Sequence, residues 1–421
     1  MTSAPERGRL GSALAFAAIG VLSGCGEEAI TRFGGVTMGT SYQVTYSPTA
    51  GSVQDEMRAV EDLLEEINES LSTYIDTSVI SRVNQSADTA SWHPIDRHFE
   101  TVFARARAIY EDTGGAFNPA VGPLVDAWGF GPEGPQALPG PDAVDRLLQL
   151  VSFDLFEIRS TPPGVRKQMA ESRLDFSAIA KGYGVDAVGR LIEGWGVRNY
   201  FVEIGGEVRT RGEHPEGRRW RIGIERPSDD PSRAPEIQSV LALGDAALAT
   251  SGDYRNYRLG TAGRKIAHIL DPRTGYPVTS PLASVSVLAR DAMTADAYAT
   301  AFMVMGIEDA LDFVEAREEL EAYFIASDPA GNIIETRSSG FPPAVEEQAA
   351  RGFPVLASVD LPLVRLAAGQ AFADLVSKIG VVRSAGAAEL AIADEQNAQG
   401  EQQDDRPQYS DTDQNSGHGS Q

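Results

Sequence analysis

Cysteine is nearly missing from this chain. The single one, Cys25 in 421 residues, excludes an internal disulfide and leaves a thiol-based metal site without ligands. Histidine is scarce as well, with 5 copies, so one that falls beside a chemical motif is conspicuous. Positive charge is the third shortage: 36 Lys and Arg stand against 60 Asp and Glu, for a formal net charge of −24. That balance argues against non-specific nucleic-acid binding, which relies on cations neutralising phosphates, and it suits either solubility or a saline habitat. Past the N-terminus, long apolar runs are missing too. Residues 361–382 come closest, but Arg365, Asp374 and Lys378 interrupt them, and Leu363, Leu366, Phe372, Leu375, Val376 and Ile379 fit one face of an ordinary helix. No internal repeat is evident.

The N-terminus carries an address. Arg7 and Arg9 precede an apolar run over 10–22 that is short for a bilayer span but suits the core of a secretory signal. It ends in Leu22-Ser23-Gly24-Cys25, which resembles a bacterial lipobox, where small residues admit the peptidase and the thiol is acylated. A small residue in an ordinary signal peptide is the alternative. Several acyl chains on Cys25 would anchor the protein stably to a membrane. The expectation is a lipoprotein signal over 1–24, a tether over 25–35, and a membrane-anchored domain facing the periplasm of a Gram-negative source.

A 42% share of hydrophobic residues is enough for a sizeable core, and organisation is clearest over 36–343. A strand pattern at 41–46 leads to Val53, Met57, Val60, Leu64, Ile67 and Leu71 at helical spacing. A second helix is expected over 96–113, stopped by Gly114-Gly115. Residues 199–204 and 207–211 flank Gly205-Gly206 as a hairpin, and 220–224 is expected to continue the sheet. Helices follow strands without a βαβ rhythm, so the fold class is α+β. Residues 344–392 have the periodicity of a helical appendage. Residues 393–421, poor in large apolar side chains and rich in Gln, Asp, Ser, Asn and Gly, read as a disordered acidic tail.

Three segments carry chemistry: Asp175-Phe-Ser-Ala-Ile-Ala-Lys181-Gly-Tyr-Gly-Val-Asp186, His268-Ile-Leu-Asp271-Pro-Arg-Thr-Gly275 and Asp296-Ala-Tyr-Ala-Thr300. Together they look like a metal-assisted site for a nucleotide pyrophosphate. Asp296 and Thr300 fall one turn apart on a helix ending at Gly306, a carboxylate and a hydroxyl that suit Mg²⁺ better than zinc. By themselves they also fit a surface Asp and a Thr bonded back to its own helix. His268 precedes a turn built from Asp271, Pro272 and Gly275, where it suits either a general base or a structural role. Lys181 fits a pyrophosphate partner or a solvated helix-start lysine, and Tyr74 a stacking surface or a core aromatic.

These segments, with Thr37-Met38-Gly39-Thr40, Leu71-Ser-Thr-Tyr74, Gly115-Ala-Phe-Asn118-Pro-Ala-Val-Gly-Pro-Leu124, Val202-Glu-Ile-Gly-Gly206 and Thr250-Ser-Gly-Asp-Tyr-Arg255, resemble in this order the ApbE family of FAD:protein FMN transferases. The resemblance covers about 33–340 and implies an ApbE-like, T-fold-related architecture. It implies a magnesium-dependent transferase that moves FMN from FAD to a threonine or serine hydroxyl of an exported flavoprotein, such as a flavin-carrying subunit of an ion-pumping respiratory complex, releasing AMP. A hydrolase that splits FAD into FMN and AMP, and a flavin-binding lipoprotein without catalysis, are the neighbouring possibilities. By the same resemblance Asp296, Thr300 and the carbonyl of Ala178 hold the metal, and His268 is the base. Met38, Tyr74, Ala116, Phe117, Asn118, Asp175, Lys181 and Leu270 contact the flavin nucleotide, with Asn118 standing where many members carry Asp.

Overall fold

The computed structural model describes residues 30–345 apart from 135–136, 229–235, 254–256, 260–264 and 329. Cys25, nearly all of the expected appendage, the tail, and Tyr254 and Arg255 lie outside the described residues. The frame is one antiparallel sheet of eight strands that follow one another across it in chain order: β1 (Thr31–Thr37), β2 (Thr40–Tyr46), β3 (Tyr200–Ile204), β4 (Glu207–Arg211), β5 (Ala246–Gly252), β6 (Leu282–Ala289), β7 (Glu321–Ser327) and β8 (Ile333–Arg337). Sequential antiparallel pairing, with helices inserted between neighbours, is the α+β class expected from the irregular order of elements.

The hairpin signals are local. Met38 and Gly39 form the two-residue turn between β1 and β2 with φ of 49° and 73°, the left-handed pair such a turn demands. Methionine rarely adopts that conformation, so Met38 is held there by its surroundings. The β1 strand itself takes in residues 31–35, the last five of the expected tether. Its Phe33 is buried against Tyr46, with ring centroids 6.0 Å apart, so the folded unit begins before residue 36.

Strand alternation divides the core into two layers. On one face Val202, Val285, Val287, Ala322 and Phe324 meet the helices. On the other, Phe201, Val208, Leu248, Leu288, Tyr323 and Ile325 meet Trp220, Ile222 and Ile224. Trp220–Glu225 does not continue the sheet as expected; it pairs with Ile237–Leu243 as a separate two-stranded ladder. The reason is topological. Strands β4 and β5 pair directly, Val208–Thr210 against Ala246–Leu248, so the residues inserted between them find no free edge and lay their apolar face on the sheet instead.

Four helices matter for the site: α1 (Val53–Leu71), α2 (Arg97–Asp112), α3 (Ala180–Gly194) and α4 (Ala292–Met305). The first two match their expected spans, with Asp96 capping α2 through the N–H groups of His98 and Phe99 at 2.9 Å each. Helix α4 is apolar on almost every side and buried on almost every side, as a central helix must be. Its start is fastened to α3. Fully buried Asp186 accepts the N–H groups of Ala292 at 3.0 Å and Met293 at 2.9 Å, satisfying two of the free donors at the helix end, and Arg209 balances its charge at 3.0 Å.

The two helices cross at Gly182. A β-carbon there would stand 2.2 Å from the Ala292 carbonyl oxygen and 2.8 Å from Asp296 Cβ, so only glycine permits the approach. Gly182→Ala tests this. Helix propensity alone favours alanine by about 1 kcal/mol, whereas overpacking costs about 1–3 kcal/mol. The expected net result is a less stable protein in urea unfolding, and a gain in stability would refute the close crossing.

Candidate active site at the helix crossing

Asp296 lies on α4 where α3 comes closest, and its carboxylate is 2% exposed, which removes the surface reading. Oδ2 accepts the Gly182 N–H at 3.0 Å, and Oδ1 lies 3.8 Å from Lys181 Nζ. The same ammonium stands 3.4 Å from Oε1 of Glu207, the first residue of β4. The Lys181 stem passes over the hairpin turn at Gly205, where φ is 59° and a β-carbon would come within 3.2 Å of Lys181 Cδ and 2.7 Å of Thr40 Cγ2. One turn along α4 from Asp296, the Thr300 hydroxyl meets Ser251 Oγ of β5 at 3.0 Å, a partner outside its own helix.

This cluster sets two buried carboxylates against one ammonium. Burial raises the pKa of Asp296, opposed by Lys181 and the Gly182 N–H; burial likewise pushes Glu207 well above the carboxylate range, opposed by Lys181 and reinforced by Asp296. Burial works against the Lys181 charge, but Asp296 and Glu207 outweigh it and its pKa is raised. Glu207 Oε2 and Thr40 Oγ1 are buried with no hydrogen-bond partner among the described residues. Two acids around one ammonium, with a further acid oxygen and a hydroxyl left unpaired, offer hard oxygen donors that fit a divalent cation of the magnesium type. Among the described residues no group of three or more His, Cys, Asp or Glu assembles, so such a cation would need hydroxyl, backbone or water oxygens besides Asp296. Ala178 lies in the turn just before α3.

Met38 packs toward Gly184 of α3, where a β-carbon would stand 2.9 Å from its methyl. Tyr74 is 69% exposed, not a core aromatic, and its hydroxyl donates to the Phe130 carbonyl at 3.3 Å. Ala116, Phe117 and Asn118 are buried. The Asn118 side chain accepts from Ala120 N at 2.9 Å and donates to Val151 O at 3.4 Å, so it caps the turn Pro119–Val121. Asp175 joins that loop through its own N–H, which donates to Pro119 O at 2.7 Å, while its carboxylate holds Ser177 N at 2.8 Å.

His268 is half-buried, its ring 6.3 Å from that of Phe130. The segment is fixed from both sides. Leu270 packs with Leu124, Trp128 and Val144, and Trp128 Nε1 donates to Gly275 O at 2.9 Å. Asp271 and Arg273 serve the turn: Gly275 N reaches Asp271 O at 2.8 Å, and the Arg273 guanidinium forms two bonds to the Asp271 carboxylate at 2.9 and 3.0 Å.

Sequence reasoning missed Glu207, which looks like an ordinary strand acid, although its place right after Gly205-Gly206 ties it to the turn under Lys181. It also missed Glu203, buried on β3 with its carboxylate accepting Gly206 N–H at 2.8 Å. Burial pushes Glu203 up to about 7, the Gly206 N–H working the other way. A raised folded pKa means the folded state binds the proton more tightly. The stability this adds is complete below about 4.5 and is lost as pH rises through about 7. Glu203→Gln keeps an acceptor for Gly206 and removes the titration. It should match wild type in thermal unfolding at pH 4 and exceed it at pH 8, by up to roughly 3 kcal/mol; parallel curves at both pH values would refute the assignment.

The ApbE family profile matches residues 38–324. The FAD:protein FMN transferase of Haemophilus influenzae is 36% identical over 326 residues, 76% of this chain and 93% of that protein. That of Vibrio cholerae is 37% identical over 334 residues, 78% of this chain and 97% of that protein. Among solved structures, the flavin transferase ApbE from Vibrio cholerae superposes with a TM-score of 0.67 at 36% identity, covering 75% of this chain and 99% of that one. The apo form of Pseudomonas stutzeri flavinyl transferase ApbE gives 0.67 at 32% identity, covering 75% and 96%.

Proposed function

We propose that this chain, which belongs to the ApbE family, is a magnesium-dependent FAD:protein FMN transferase that esterifies FMN to a Thr or Ser hydroxyl of an exported flavoprotein. The observation that carries the reading is the buried Asp296 carboxylate, fixed by the Gly182 N–H with Lys181 beside it and Thr300 a turn away. Lys181 is a compact cation suited to pyrophosphate oxygens. The Met38 turn and the loop 116–118 approach the flavin nucleotide through backbone, Tyr74 offers an exposed ring, and Asp175 and Leu270 complete the contacts. Mg²⁺ held by Asp296, Thr300 and the Ala178 carbonyl would neutralise phosphate charge when bound. His268 takes the proton of the acceptor hydroxyl as that oxygen bonds to the flavin-side phosphorus; the bond from this phosphorus to the AMP oxygen breaks, and AMP leaves with its negative charge.

The acceptor is an exported redox protein of the kind found as flavin-carrying subunits of ion-pumping respiratory complexes. Acylated Cys25 would hold the enzyme to a membrane on the periplasmic side, where such acceptors reside. Cys25→Ser should abolish incorporation of labelled fatty acid, and equal labelling of variant and wild type would overturn the anchor.

The direct test mixes protein, FAD, Mg²⁺ and an acceptor domain and looks for a flavin-fluorescent acceptor band that survives denaturation; free FMN and AMP without that band would make the protein a pyrophosphatase. Two variants separate the roles. Asp296→Asn should weaken Mg²⁺ binding, with activity partly restored at high Mg²⁺. His268→Ala should still bind FAD but transfer roughly 10²–10⁴-fold more slowly, with partial recovery at high pH. Full transfer by His268→Ala at neutral pH would place the base elsewhere, and an unchanged Mg²⁺ requirement in Asp296→Asn would remove the metal assignment.

A further inference from the structure

We propose that Glu207 is a positioning residue that decides how Lys181 and a divalent cation share Asp296, an inference that rests on the metal reading above. Glu207 follows the Gly205-Gly206 turn and pairs across it with Ile204, so its backbone is fixed by the sheet and not by either helix. Its side chain is 3% exposed; Oε1 lies 3.4 Å from Lys181 Nζ, and Oε2 has no hydrogen-bond partner among the described residues. The ammonium therefore stands between two carboxylates, 3.4 Å from one and 3.8 Å from the other.

A cation arriving at Asp296 brings two positive charges to a carboxylate that Lys181 already leans on. The ammonium must yield, and with its side chain 28% exposed it cannot simply return to bulk water. Glu207 resolves the conflict. It offers one oxygen already in reach and a second that no other group among the described residues occupies, so Lys181 keeps its charge and a partner while Asp296 is released. The sheet-borne carboxylate thus makes the lysine and the cation compatible at one site. Without it, Lys181 has only Asp296 and competes with the cation for it.

The competition gives signs that a merely structural role for Glu207 does not. The measurement is calorimetric titration of the purified protein with Mg²⁺ in the absence of FAD, with circular dichroism to verify folding. Glu207→Gln, which keeps the shape, should bind Mg²⁺ about tenfold more weakly, and Glu207→Asp, which keeps the charge, should lie nearer wild type. Lys181→Met should bind Mg²⁺ more tightly than wild type, because the competitor is gone. In that background adding Glu207→Gln should change affinity by less than about threefold, since Glu207 acts through the lysine. Unchanged affinity in Glu207→Gln overturns the proposal. So does a tenfold loss that persists in the Lys181→Met background, which would make Glu207 act on the cation directly. If Glu207→Gln does not fold, Lys181→Met decides alone, and equal or weaker Mg²⁺ binding there overturns it. A wild type that binds no Mg²⁺ removes the metal assignment itself and this inference with it, whereas a binding wild type with a failed variant removes only the inference.

Discussion

The close crossing of α3 and α4 at Gly182 is the constraint on which the site depends. Because no side chain separates the helices there, a backbone N–H of one can reach the Asp296 carboxylate of the other at 3.0 Å. Lys181, the neighbouring residue, is delivered to the same carboxylate by the same approach. Asp186, one turn further along α3, ties down the first N–H groups of α4. A single α3 segment therefore aligns the helix that carries Asp296, bonds Asp296, and supplies the cation beside it.

The cost of this arrangement is electrostatic. Two carboxylates at 2% and 3% exposure share one ammonium, and both have their pKa raised by burial, so the pocket opposes the charges it holds. Packed hydrophobic residues in the same volume would generally be neutral or stabilising. Retaining acids there makes physical sense if a cationic species completes the cluster, and Glu207 Oε2, without a partner among the described residues, is the structural mark of that incompleteness. Strain at Met38, with φ of 49°, lies against Gly184 of the same helix. Stability is spent where ligand chemistry is expected and recovered in the two apolar layers of the sheet.

The second half of the site depends on packing, not charge. Leu270, Trp128 and Val144 form a satellite core that carries the His268 segment against the insertion between β2 and β3. Trp128 Nε1 bonded to Gly275 O closes that contact. The turn residues Asp271, Arg273 and Gly275 are occupied with one another, so the conspicuous motif around His268 is chiefly a support for it.

Local patterns in the sequence determined the elements whose causes are local: α1 from its apolar spacing, α2 from Asp96 and the glycine stop, the hairpin from Gly205-Gly206, and the α4 stop at Gly306. Motif order pointed to Asp296, Thr300, Lys181 and His268 because chemistry restricts which residue types can serve. Tertiary structure alone decided the rest. It moved Trp220–Glu225 out of the sheet because β4 and β5 pair with each other, and it turned the Asn118 side chain inward as a cap. It also made Glu207 a partner of Lys181. These outcomes depend on which distant segments meet and which oxygens are left unpaired when they do, and neither periodicity nor a motif records either one, because both describe a chain only over a few turns or strands.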